Sequence, residues 1–79
     1  MHELFTEVVL RKDIPEKGLK KGDVATVVER HASATGEDGY SLEIFNALGE
    51  TMAVVTVPES AIEPLTRDEV FTVRSVGTG

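Results

Sequence analysis

The chain is 79 residues long, carries a formal net charge of -6 and contains no cysteine. That length suits a single small domain, and the lack of thiols excludes disulfides and thiolate metal sites as staples. With only His2 and His31 as imidazoles, the remaining staple is self-association, so a homo-oligomer, dimer or larger, is expected.

The charge is uneven. Residues 11–30 hold six basic against four acidic side chains, and the other 59 residues hold ten acidic against two basic. An acidic body disfavours general binding to phosphate backbones and favours a basic protein partner or contact between copies. The first residues, Met1-His2-Glu3-Leu4-Phe5-Thr6-Glu7, lack the basic start and apolar run of a secretory signal. No run approaches the ~20 apolar residues of a membrane helix, so no membrane contact and a cytoplasmic location are expected.

In chain order, Thr6–Arg11 reads as a first strand, with Val8, Val9 and Leu10 too short a run for a helix. Pro15 and Gly18 make Lys12–Lys21 a loop, and Ile14 and Leu19 should fold inward to pin it. Lys20-Lys21-Gly22-Asp23 reads as a tight turn feeding a second strand, Asp23–His31. Strict alternation puts Val24, Thr26 and Val28 on one face and Ala25, Val27 and Glu29 on the other. With apolar residues on both faces the strand should be central, and Val28→Asp is expected to unfold the domain.

Ala32–Gly39 reads as a solvated hairpin connection in which Gly36 and Gly39 can take positive φ. Tyr40–Asn46 is a third strand with Tyr40, Leu42 and Ile44 facing inward. Asn46–Gly49 is a turn with Gly49 left-handed, and Glu50–Val57 is a fourth strand, Met52 and Val54 on one face and Ala53, Val55 and Val57 on the other. Ser60 and Glu63 have capping-box spacing, and Pro64 limits any helix to one 3-10 turn at Glu59–Ala61. Ile62–Leu65 then forms a short fifth strand. This succession predicts an all-β, SH3-like barrel over residues 1–65. In the extension 66–79, the β-branched residues around Val70 and Val73 predict a further strand at 69–75.

Several turns match one family in order. Asp13-Ile14-Pro15, Leu19 to Val28 with Gly22-Asp23 and Thr26-Val27-Val28, Tyr40-Ser41-Leu42-Glu43-Ile44, Gly49-Glu50-Thr51 and Val57-Pro58 resemble a family of small bacterial proteins known only as a domain of unknown function. Its pattern is Leu-x-x-Gly-Asp-x-Gly-Thr-Val-Val, and Ala25 stands here at the second glycine. The resemblance implies a fold and no mechanism. Gly22-Asp23-x-x-Thr26-Val27-Val28 also resembles the KOW element of ribosomal and transcription-elongation proteins.

Catalytic chemistry finds no motif. There is no Gly-x-Ser-x-Gly, no phosphate-cradling Gly-x-x-x-x-Gly-Lys and no Asp-x-Asp-x-Asp calcium spacing. The pairs Glu37-Asp38 and Asp68-Glu69 read as solvated carboxylates. No catalytic residue, cofactor or metal is therefore assigned. The first expectation is a binding module for another protein of basic character, an antitoxin- or immunity-type neutraliser or a self-assembling accessory protein, with Glu43, Glu50 and Glu63 as acidic contacts. The alternative is a KOW-like RNA or ribosome-associated module acting through Lys12, Lys17, Lys20 and Lys21. That role wants exposed aromatics beside the lysines. A third class, an enzyme whose site forms only in a pore between several copies, leaves no mark in one chain.

Overall fold

The computed structural model describes residues 2–66. Five antiparallel strands form one sheet: β1 (Glu7–Leu10), β2 (Val24–His31), β3 (Gly39–Phe45), β4 (Thr51–Pro58) and β5 (Ile62–Pro64), in the order β4-β3-β2-β1-β5. Two 3-10 turns, Pro15–Lys17 and Glu59–Ala61, complete it. The strand expected at 69–75 lies outside the described residues.

The connection between β4 and β5 shows that this sheet is curled. They are its two edges, so in a flat sheet they would stand about 19 Å apart at ~4.8 Å per strand spacing. The path from Pro58 to Ile62 runs through the Glu59–Ala61 turn, and four Cα steps span at most about 15 Å. The two edges are therefore brought round towards each other. The inner face encloses one cluster to which all five strands contribute, including Val8, Leu10, Val27, Leu42, Val57 and Ile62. No helix covers that face among the described residues; the sheet and the loop between β1 and β2 cover it themselves.

That loop is built by Ile14 and Leu19, which bury their side chains and pair as an isolated bridge around the first 3-10 turn. Gly18 (φ 70°) closes the turn, its amide donating to the Pro15 carbonyl. Gly22 stands at φ 95°, where a side chain is strained. The Asp23 carboxylate accepts from the Lys20 amide at 2.8 Å, and the Asp13 carboxylate accepts from the Lys21 amide at 2.8 Å.

Strict alternation fails at two bulges. Val27 pairs with Leu42 but Glu29 pairs with Ser41, so Val28 is an extra residue in β2. Val27 is fully buried while Val28 is half-buried, and the expectation that Val28 fills the core is overturned. The same bulge takes Glu29 off the face of Ala25 and Val27 and pairs it with Ser41 on the outer face. A second shift, between Ile44 and Phe45, makes Met52 the extra residue in β4.

The other corrections concern residues 32–39. Gly39 begins β3 and is not a left-handed turn residue; the described positive-φ glycines are Gly18, Gly22 and Gly49. Ser60 makes no capping box with Glu63, because the second 3-10 turn has no side-chain cap from within. Instead the Glu37 carboxylate, 23 residues away, accepts from the Ser60 amide at 2.6 Å and from its hydroxyl at 3.2 Å. Asp38 works beside it, accepting from Arg30 Nε at 2.9 Å and from the Ser33 amide at 3.1 Å. Of the two carboxylates read as solvated, Glu37 thus ties the β2–β3 connection to the turn before β5, and Asp38 ties that connection to the end of β2.

Candidate functional site

Three surface features hold the polar and apolar groups left over once the core is built. The first is a groove of about 380 Å³ between the β1–β2 loop and the end of β4, lined by Lys12, Asp13, Ile14, Glu16, Lys17 and Val55–Pro58. Lys12 and Lys17 therefore meet at one place. Lys20 and Lys21 do not line it, and their backbone amides are committed to the turn through Asp23 and Asp13. The four lysines read as one basic loop fall into two groups.

The second feature is the outward side of the β3–β4 hairpin. Phe45 (43% exposed), Met52 (47%), Val54 (52%) and, at the tip, Leu48 (85%) are uncovered. Glu43 lies directly opposite Val54 on β3, and Glu50 immediately precedes β4. The Glu50 carboxylate also accepts from Asn46 Nδ2 at 2.8 Å, which braces the turn. Glu63 is apart from these two. It sits on β5 opposite Val9, with Arg11 Nε 3.9 Å from its carboxylate. Leu4 and Phe5 are exposed as well, and Phe5 has a φ of 60° while its amide donates to the Val27 carbonyl. Of the aromatics, Tyr40 is core, Phe5 and Phe45 are exposed, and Phe71 lies outside the described residues. Neither exposed ring lines the lysine groove.

The third feature crosses β2, β3 and β4 on the outer face. His31 Nε2 stands 2.8 Å from the Ser41 hydroxyl, which is 3.1 Å from the Thr56 hydroxyl. A serine hydrogen-bonded to an imidazole is the first requirement of an activated nucleophile. Here the other requirements are not met. The carboxylate of Glu29 approaches the same Nε2, at 3.8 Å, and not the opposite ring nitrogen that an orienting acid would hold. Ser41 is only 9% exposed and lies in mid-ladder, where neighbouring amides serve inter-strand bonds. The chain satisfies a buried hydroxyl and crosslinks three strands. It exists because of the bulge at Val28, which no period-two reading of the sequence contains.

The electrostatics are local. The Asp38 carboxyl is held below its ordinary range, first by the Ser33 amide and then by the Arg30 guanidinium. Arg30 is raised in turn by its hydrogen bond and charge contact with Asp38, its terminal nitrogen 2.7 Å from the carboxylate. Among the described residues no group of three or more His, Asp or Glu side chains is placed to hold a metal ion, and no helix is long and apolar enough to cross a membrane.

The sequence profile of the family described as "Domain of unknown function (DUF4926)" matches residues 4–64. The chain belongs to this family. The DUF4926 match runs from just before β1 to the last residue of β5, so it takes in the whole five-stranded sheet. It bears out the resemblance to a domain-of-unknown-function family. No curated protein and no solved structure matches the chain. Within the matched residues, Leu19 is a buried anchor, Gly22 a left-handed turn position and Asp23 the carboxylate that closes that turn.

Proposed function

We propose that this domain is an SH3-like barrel that works as a protein-binding module, and that its partner is basic. The observation that carries the reading is the outward side of the β3–β4 hairpin, where Phe45, Leu48, Met52 and Val54 are exposed beside Glu43 and Glu50. Single exposed apolar side chains are ordinary, but several on one hairpin make a docking surface. Flanking carboxylates steer and orient a cationic partner. A neutraliser of the antitoxin or immunity type, covering a basic functional site, is the form of this module that fits its acidic balance. The RNA-binding alternative gains no support from the geometry, because the lysines divide and the exposed rings stand elsewhere.

The test is affinity capture from source-cell lysate with and without nuclease, run in parallel on the wild type and on Glu43→Lys with Met52→Ala. The expected result is one stoichiometric basic protein that survives nuclease and is lost with the variant. Recovery of RNA or ribosomal proteins that vanishes with nuclease would replace this reading with the KOW-like one.

A further inference from the structure

We propose that two copies of this chain join through β4, pairing antiparallel about a two-fold axis so that the sheet continues from one copy into the other. The inference goes beyond the proposed partner binding, since it uses the edge of β4 that no described strand covers and not its outward side.

The two edges of the sheet differ. β5 offers three residues, whereas β4 offers Thr51–Pro58. A long edge is normally blunted by charge, and lysine above all. β4 contains no charged residue, although the chain carries a net charge of -6. Two copies can therefore meet along β4 without opposing like charges, which hardly any other long segment of this surface allows. An acid flanks each end of the strand, Glu50 before Thr51 and Glu59 after Pro58, but only the Pro58 end has lysines beside it. Lys12 and Lys17 line the groove beside Val55–Pro58, and Glu50 precedes Thr51. Antiparallel pairing carries the Glu50 end of each copy to the lysine groove of the other, and symmetry makes the contact twice. Of the two acids in that groove, Asp13 already accepts from the Lys21 amide. Glu16 is the second acid there, and together with Glu59 just past Pro58 it is the charge that Lys12 and Lys17 must outweigh.

The register follows from symmetry. Antiparallel ladders alternate two kinds of pair. A two-fold axis exchanges the members of every pair, so one residue must face its own copy. The uninterrupted run between the bulge at Met52 and Pro58 is residues 53–57, and its centre is Val55. Val54 then lies opposite Thr56 of the other copy, and both are exposed.

The chain has no cysteine, so introduced thiols report alone. Val54→Cys and Thr56→Cys are made separately and oxidised mildly, each alone and as an equimolar mixture. Opposed residues stand about 4.5–5.5 Å apart, within disulfide reach, while like residues two positions out of register stand about 7–8 Å apart. The expected result is a covalent dimer from the mixture and little from either variant alone. Light scattering on the unlabelled protein should rise with concentration from 8.5 kDa towards twice that mass. Lys12→Glu with Lys17→Glu should weaken association at least tenfold, and adding Glu50→Lys should restore most of it. A mass of 8.5 kDa up to millimolar protein overturns the proposal. So does a dimer whose mixture fails to crosslink, or one indifferent to both charge changes. A monomer that still captures its basic partner overturns the β4 pairing and leaves the proposed function standing.

Discussion

The two faces of this sheet use the same residue types to opposite ends. On the inner face Val8, Val27, Leu42 and Tyr40 are all but sealed from water. On the outer face Phe45, Met52 and Val54 remain about half exposed. Valine at position 27 and valine at position 54 are chemically identical. One contributes roughly 1.5–3 kcal/mol by leaving water, and the other withholds much of that contribution until something covers it. The stability of the fold resides in the first face, and the proposed docking surface is the second.

The sharpest way to break that comparison is to place one charge on adjacent residues of β2. Val27→Asp buries a carboxylate without a partner and should cost more than about 4 kcal/mol, enough to abolish the urea unfolding transition. Val28→Asp falls at the bulge on a half-buried position and should cost only about 1 kcal/mol. Equal losses would mean that the bulge is misplaced. Next in size, Leu42→Ala should cost about 2–5 kcal/mol by opening a cavity opposite Val27, read as a lower denaturant midpoint. Against it, Val54→Ala on the outer side should stay within about 0.5 kcal/mol.

Smaller effects test how the ends of the sheet are held. Glu37→Ala removes the acceptor of both Ser60 donors and should cost about 1 kcal/mol. Its distinctive sign is faster amide exchange at Ser60 with the β2–β3 ladder unchanged. Gly22→Ala meets nothing within 4 Å, so its cost, about 1 kcal/mol, is purely that of a side chain at φ 95°. The smallest effect is that of pH on Asp38. Its folded carboxyl is lowered by Ser33 and Arg30, so its contribution is present above the unfolded value of about 3.9 and is lost as pH falls through the lower folded value. Carboxyl NMR shifts should show Asp38 titrating below the ordinary aspartate value, and Arg30→Gln should bring it part of the way back.

Much of this architecture was legible in the chain itself, because it rests on local rules. Alternation of Tyr40, Leu42 and Ile44 gives a one-faced strand wherever it lies. Gly49 marks a positive φ, the proline at 64 halts a helix after one turn, and Ile14 and Leu19 have no other way to leave water. In Leu19-x-x-Gly22-Asp23 each named residue has a local structural task, as buried anchor, left-handed turn and turn-closing carboxylate. The candidate site was much less legible. A bulge depends on what the neighbouring strand requires, so neither Val28 nor Met52 could be identified from its own segment. Glu37 and Asp38 look like solvated loop acids until the curl of the sheet brings Ser60 against the first and the β2–β3 pairing brings Arg30 against the second. The division of four lysines into a groove pair and a turn pair, and the separation of Glu63 from Glu43 and Glu50, are likewise outcomes of strand order. The sequence by itself determined which segments are strands, where the chain turns and which family it belongs to, since these follow from periodicity and backbone preference over a few residues. Only the tertiary structure decided which valine is core, which carboxylate is a clasp and which edge no described strand covers, because each depends on how separate segments pair and pack.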